Sequence, residues 1–212
     1  MAIYSKGILG EFSGKVGAVV GSSWKGKPVI RSLPQRKQSG SSVSQQQQRE
    51  KFMLMSKFLR PLTDLINQGF QKTAIGMTAF NKAFSVNHEA ITGSYPDMRI
   101  DFPRIILSGG RLPLGEPPSL SSPETGKLLL TWKNGDGINR HLTSGSAFIA
   151  AYSEELNRWI FNQFPMGDGR ISCMLEVDPF RGKPVQTYIG FISAGIHKNA
   201  ESRYMGVLDI MP

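Results

Sequence analysis

The chain has 212 residues, of which 40% are hydrophobic and 19% are charged. This length fits one large domain or two small ones, and the apolar fraction is enough for a core, which argues against wholesale disorder. A single cysteine excludes an internal disulfide framework and a cysteine-rich zinc site, and three scattered histidines argue against a histidine metal centre.

Neither a membrane span nor a signal peptide is expected from the sequence. No apolar run approaches the ~18 residues that a membrane-spanning helix needs. Residues 1–15 lack the long apolar segment and the cleavage site of a signal peptide. We therefore expect a cytoplasmic protein or a component of a particle.

The charge is concentrated at one end. Residues 1–72 contain 12 Lys+Arg and 3 Asp+Glu, whereas residues 73–212 contain 13 of each, so the whole formal charge of +9 lies in the first third. A local excess of this kind indicates a surface that meets an anion, such as nucleic acid, a membrane face or an acidic partner. The alternative interpretation is a set of solvated faces with a basic linker.

Residues 1–34 are predicted to form a β-hairpin arm, because glycine recurs too often there for a helix. Strands are expected at 15–20 and 28–33, with a turn between them, and Val16, Ala18 and Val20 should share one face. A lone hairpin is marginal in water, so the arm must pack on the rest of the chain or on another chain. The side chains expected to mediate that assembly are Val16, Val20, Trp24 and Ile30.

Residues 35–48 have the composition of a polar linker. They lead into a helical segment predicted over 44–100, with Ser44 as the first N-cap and a break permitted at Pro61. A second, shorter helix should be capped by Thr78. Apolar residues recur every three or four positions along the first helix, at Phe52, Met55, Phe58, Leu59, Leu62, Leu65, Ile66 and Phe70.

This apolar stripe makes a quantitative prediction. Phe52 and Phe58 should both be buried, so that changing either to alanine costs about 3–5 kcal/mol. Lys57, on the other side of the helix, should be exposed, so that changing it to alanine costs less than about 0.5 kcal/mol.

Residues 101–212 are predicted to form an antiparallel β-sandwich that follows a proline-rich boundary. The expected strands are 103–108, 127–133, 146–153, 158–164, 170–177, 185–193 and 203–210. The predicted fold class is therefore α+β, mainly β, with a hairpin arm and helices before the sandwich. No Cys…Trp…Cys spacing is present, so a fibronectin type III-like sandwich is closer than an immunoglobulin domain.

Several segments of the first 113 residues resemble a known family. They are 1–17, 19–26, 30–34, 48–52, 76–81, 90–97 and 107–113, the last reading Leu-Ser-Gly-Gly-Arg-Leu-Pro. The chain is similar to uncharacterised proteins of Bacteroidota genomes that are known only as a domain of unknown function. The resemblance implies a bacterial source and brings no activity, catalytic residue or cofactor.

The sequence carries no catalytic signature. A phosphate-binding loop, a zinc-protease helix, a nucleophile elbow and a calcium-binding EF-hand loop are all missing. Gly135-Asp-Gly137 and Gly167-Asp-Gly169 lack the remaining calcium ligands and are interpreted as turns. Cys173 has no neighbouring His or Lys and is interpreted as a core residue. We expect no catalytic residue, metal or cofactor.

The leading functional hypothesis is a non-enzymatic structural or assembly protein, phage-like in kind, that self-associates through its N-terminal arm. The alternative is a nucleic-acid-associated protein that uses the basic first third through contacts with phosphates. A sandwich that binds carbohydrate is a third possibility. The residues expected to contact nucleic acid are Lys15, Lys25, Lys27, Arg31, Arg36, Lys37 and Arg49.

Overall fold

A computed structural model describes residues 2–3, 12–24, 26–34, 40–112, 118–131, 145–166, 172–193 and 199–212. The chain forms two units, Met1–Ser42 and Val43–Pro212. No helix in the described part of the chain is long and apolar enough to cross a membrane.

The N-terminal unit is an antiparallel sheet of four short strands. The strands are β1 (Ala2–Ile3), β2 (Gly14–Val16), β3 (Val19–Trp24) and β4 (Lys27–Ser32), in the order β1-β4-β3-β2. The predicted hairpin is present as β3 and β4, but the predicted turn over 21–27 lies mostly within β3. β3 and β4 are joined between Trp24 and Lys27, which pair with each other. A further reversal at Gly17–Ala18 separates β2 from β3 and splits the predicted strand 15–20, and Gly17 there adopts the positive φ of +57° that a two-residue hairpin turn requires at its first position.

The second unit begins with helices. They are α1 (Val43–Leu59), α2 (Thr63–Phe70) and α3 (Ala79–Asn87), with a single 3₁₀ turn around Pro61 between the first two. The break at Pro61 is therefore confirmed, and α1 begins one residue before the predicted cap, so part of the interval predicted as linker is helical. The prediction for Thr78 is confirmed, because its hydroxyl accepts a hydrogen bond from the Asn81 backbone N–H at 3.1 Å.

Two antiparallel sheets follow a short pair of strands, β5 (Ile91–Thr92) and β6 (Arg99–Ile100). Their strands are β7 (Ser119–Ser121), β8 (Lys127–Thr131), β9 (Gly145–Ser153), β10 (Arg158–Pro165), β11 (Ser172–Glu176), β12 (Pro184–Ser193) and β13 (Arg203–Asp209). One sheet has the order β11-β8-β7 and the other has the order β10-β9-β12-β13. The two sheets share one hydrophobic core, as in a β-sandwich, so the predicted mainly-β fold class is confirmed.

One predicted strand is wrong. Residues 103–108 do not join either sheet, and the strand that pairs with β8 is β7 at 119–121. Phe102–Arg104, with Pro103 inside it, forms a 3₁₀ turn, and the chain that follows is held by side-chain hydrogen bonds rather than by a ladder.

The four-stranded sheet is the middle layer of the second unit. Along β9, Ile149 and Ala151 pack against the three-stranded sheet, whereas Phe148, Ala150 and Tyr152 pack against the helices. Successive side chains of a strand point to opposite faces, so covering both faces buries the whole central strand. The helices add Met55, Phe58, Leu59, Leu62, Leu65, Ile66 and Phe70 to this core, all of them buried.

Phe52 departs from the predicted stripe. Its side chain is 60% exposed, and its ring lies 4.9 Å from that of Phe84 on α3 rather than in the core. The prediction of a buried ring is therefore wrong for Phe52 and confirmed for Phe58.

Candidate interaction surface on the N-terminal sheet

Register assigns the predicted site residues to two opposite faces of the N-terminal sheet. Residues paired directly across an antiparallel ladder share a face, and alternate residues of a strand lie on the same face. Lys15 pairs with Val20, which in turn pairs with Arg31, and Trp24 pairs with Lys27. All five therefore lie on one side of the sheet.

We call this side the basic face and define it by Lys15, Lys27, Arg31 and Trp24. The three cationic residues are exposed, and Trp24 is 57% exposed. Trp24 lies across from Lys27, and Val29, which is 1% exposed on the same side, separates this pair from Arg31 and Lys15. An exposed aromatic ring beside cations is the combination that stacks bases and contacts phosphates in proteins that bind single-stranded nucleic acid. The face therefore has the composition expected for an anionic partner.

The opposite side is the apolar face, defined by Val16, Val19 and Ile30. Val16 pairs with Val19, and these two valines are 59% and 36% exposed, while Ile30 is half-buried. Gly21, which pairs with Ile30, is covered by Phe12, since a β-carbon at Gly21 would lie 2.7 Å from that ring. The apolar face thus has a covered centre and two exposed valines at one side.

The four predicted assembly residues do not lie together. Val16 and Ile30 belong to the apolar face, whereas Val20 and Trp24 belong to the basic face. The expectation that Val16, Ala18 and Val20 share a face is wrong, because the chain reverses at Gly17–Ala18. Val19 was missed for the same reason, although a glycine between two valine-bearing segments is a hairpin signal.

The residues predicted to contact nucleic acid are distributed differently. Lys15, Lys27 and Arg31 are brought together on the basic face. Arg49 is exposed on α1, in the second unit. Lys25, Arg36 and Lys37 lie outside the described residues.

Within the described residues, the edges of the N-terminal sheet offer little for strand pairing. The two edge strands, β1 and β2, have two and three residues, and β2 carries Lys15. Short, lysine-bearing edges are a common way to prevent edge-to-edge association. The faces of the sheet, rather than its edges, are therefore the candidate contact surfaces.

The described residues of the second unit contain no group of three metal-ligating side chains. Cys173 is 4% exposed and packs in the sandwich core beside Leu130 and Leu175, so its interpretation as a core residue is confirmed. The two Gly-Asp-Gly segments lie outside the described residues.

Comparison with known proteins places the chain in a family. The model of DUF6266, described as a family of unknown function, matches residues 11–206. The chain belongs to this family. None of the curated proteins with which it was compared matches it. The resemblance to a family of unknown function is therefore confirmed, over both units of the chain.

Proposed function

We propose that this member of DUF6266 is a non-enzymatic structural protein that assembles through the apolar face of its N-terminal sheet, as a subunit of a larger, phage-like particle. The observation that carries the proposal is the pair of exposed valines, Val16 and Val19, on a sheet that forms a unit of its own. Exposed apolar side chains grouped on one surface mark interaction sites.

The size of the apolar face decides what kind of assembly it supports. Covering the exposed parts of Val16 and Val19 contributes about 2 kcal/mol per copy, since full burial of a valine is worth about 1.5–3 kcal/mol. Association of two free molecules costs at least about 4 kcal/mol in lost freedom. One such contact therefore gives a weak dimer, and stable assembly requires several contacts acting together.

The second unit is suited to the role of an independent scaffold. Its core is built from its own helices and sheets, and its largest fully buried side chains include Tyr188, Phe70, Phe148 and Phe180. We therefore expect residues 43–212 to fold without the N-terminal unit.

The test compares the full chain with residues 43–212 by light scattering over a range of concentrations. The full chain should show concentration-dependent association, and the shortened chain should stay monomeric and folded. Val16→Asp should reduce association of the full chain to the level of the shortened one. Val207→Asp is the matched control, because Val207 is a strand valine of the second unit with 57% exposure. Equal masses for the full and shortened chains at every concentration would contradict the proposal.

The basic face favours a second candidate, nucleic-acid binding. Three cations that the sequence spreads over 17 positions lie on one side of a small sheet with Trp24. Neutralising phosphates with such cations gives affinity that falls steeply with salt and depends little on base sequence. A tryptophan within the basic face would favour single strands by base stacking, worth about 1–3 kcal/mol per base.

This candidate is tested by fluorescence anisotropy with a labelled single-stranded oligonucleotide at two salt concentrations. Changing Lys15, Lys27 and Arg31 together to glutamate should abolish binding, and Trp24→Ala should weaken it about tenfold or more. Lys51→Glu, Lys57→Glu and Arg60→Glu together form the control, since they make the same charge change in the second unit. An equal loss of oligonucleotide binding in both triple variants would show that binding depends on net charge alone and not on the basic face.

A further inference from the structure

The second unit contains an open cleft of about 860 Å³ that none of the predicted site residues lines. The cleft lies between the end of α3, the chain around the 3₁₀ turn Phe102–Arg104, and the segment that enters β13. Its charged lining residues are Glu89, Arg104, Arg111, Glu201 and Arg203.

One wall of the cleft is fixed by a buried asparagine. The Asn87 side chain is fully buried and donates through Nδ2 to the backbone carbonyls of Ile106, at 2.7 Å, and Ala83, at 2.9 Å. Its Oδ1 accepts from the Ile106 backbone N–H at 2.7 Å. One amide side chain thus satisfies both backbone groups of Ile106 and anchors the segment next to Arg104 to α3.

Serine hydroxyls fix the other side of the same segment. The Leu107 backbone N–H donates to Ser202 Oγ at 2.7 Å, and Ser108 Oγ donates to the Ala200 carbonyl at 2.8 Å. Beyond them, a β-carbon at Gly110 would overlap the Asn199 carbonyl oxygen. The backbone that carries Arg104, Arg111 and Arg203 is therefore held in place before any ligand arrives.

The arginines of the cleft are only partly neutralised. Arg104 forms a long ion pair with Glu89, with 3.9 Å between Nη2 and Oε2. Among the described residues, neither Arg111 nor Arg203 has a carboxylate within 4 Å, although Glu201 lines the same cleft. Two guanidinium groups, each with a planar set of donors that matches a carboxylate, thus flank the cleft with no carboxylate partner in the part of the chain that the structure describes.

The cleft also offers apolar contacts between these charges. Val86, Ile106 and Leu112 line it and are half-buried, so each leaves part of an aliphatic side chain accessible. A ligand that places carboxylates on Arg111 and Arg203 can therefore bury apolar groups at the same time.

We propose that this cleft binds an extended segment of an acidic peptide, in which carboxylate side chains pair with Arg111 and Arg203 and aliphatic side chains cover Val86, Ile106 and Leu112. An open groove favours a peptide over a small organic anion. The walls of the cleft are open to water, since the Arg104 and Glu89 side chains are 54% and 84% exposed. A site with such walls does not enclose its ligand, whereas small-molecule sites bury about 70–90% of the ligand surface. A peptide can lie along the groove with one side in water. This inference does not depend on the proposed assembly through the N-terminal sheet.

The probe is an array of hexapeptides made of leucine and zero to three glutamates in all orders, with matched glutamine arrays. The labelled full chain should bind more strongly as the number of glutamates rises, and the glutamine peptides should not bind. For the best peptide, Arg111→Gln and Arg203→Gln should each weaken binding about tenfold in fluorescence anisotropy, as expected for the loss of one charge-assisted pair.

Arg158→Gln is the matched control. Arg158 is exposed and begins the edge strand β10, just as Arg203 is exposed and begins β13, the other edge of the same sheet. The inference is overturned if binding to the array does not increase with the number of glutamates in the peptide, or if Arg158→Gln weakens binding as much as Arg203→Gln. Citrate binding as tightly as the best peptide would likewise overturn it, in favour of a small-anion site. Thermal unfolding of each variant checks that the fold is intact.

Discussion

The two units of the chain are stabilised in different ways. In the described part of the N-terminal unit, Val29 is the one large hydrophobic side chain that is almost completely buried, whereas the second unit buries aromatic and aliphatic side chains in two large clusters. The N-terminal sheet depends chiefly on backbone pairing and on turn glycines, and the second unit depends on side-chain packing. Because the N-terminal sheet buries few side chains, its apolar and charged faces stay available for contacts.

Among the variants that test this difference, Phe58→Ala has the largest expected effect. The Phe58 ring is 4% exposed and contacts Tyr152 and Trp159, with ring centroids 4.9 and 5.0 Å away. Removing it should lower the free energy of unfolding by about 3–5 kcal/mol, because it leaves a cavity between the helices and the middle sheet. Chemical denaturation of residues 43–212 measures this loss directly. A loss below about 1 kcal/mol would show that the packing between helices and sheet does not stabilise the unit.

Next in size is Asn87→Ala, which removes a polar rather than an apolar interaction. The change leaves the part-buried backbone N–H and carbonyl of Ile106 without the side chain that satisfies them, and each such group costs about 1–3 kcal/mol, toward the lower value where burial is partial. We expect a total loss of about 2–3 kcal/mol in chemical denaturation. Asn162→Ala serves as the control, since Asn162 is exposed and its side chain accepts from the neighbouring Gln163 N–H. Equal losses in the two variants would contradict the anchoring role of Asn87.

A third test uses alkaline pH. Burial raises the pKa of the Tyr188 hydroxyl well above its ordinary value near 10, with smaller contributions from Tyr204 and Glu154. The unfolded chain therefore loses this proton first, so the free energy of unfolding is unaffected below about pH 10 and falls above it, by up to about 1.4 kcal/mol per pH unit.

Tyr188→Phe should remove the part of the fall in unfolding free energy above pH 10 that Tyr188 causes. At neutral pH it should cost about 1 kcal/mol, because the hydroxyl donates to the Phe102 carbonyl at 3.0 Å. The pKa values of Tyr152 and Tyr204 are also raised by burial, so the difference between the native chain and the variant is the quantity to compare. Parallel curves above pH 10 would show that Tyr188 ionises equally easily in both states.

The sequence predicts the second unit better than the first, for a physical reason. Alternation along strands such as β12 and periodicity along α1 are local consequences of burial, so they are visible before the structure is known. The strand expected at 103–108 fails because Asn87 and Ser202, 19 and 95 positions from their backbone partners, take the place of a ladder. No local pattern records such a contact.

The candidate surfaces were harder to predict than the fold. The position of one turn, at Gly17–Ala18, decides which side chains share a face, and a shift of one residue exchanges the two faces. The cleft arginines come from positions 104, 111 and 203, which only tertiary structure brings together.

The smallest expected effect lies within α1 itself and compares Phe52 with Phe58. Phe52 is 60% exposed, and its ring contacts that of Phe84, with the ring centroids 4.9 Å apart and the ring planes 46° apart. Changing Phe52 to alanine removes that contact but opens no cavity, so we expect a loss of about 0.5–1.5 kcal/mol, the value of an aromatic pair. Lys57→Ala, at an exposed position later in the same helix, should cost less than about 0.5 kcal/mol. Denaturation of the three variants side by side should rank Phe58, Phe52 and Lys57 in that order. A loss for Phe52→Ala as large as that for Phe58→Ala would mean that the exposed part of α1 is covered in solution, by a second copy or by another part of the chain.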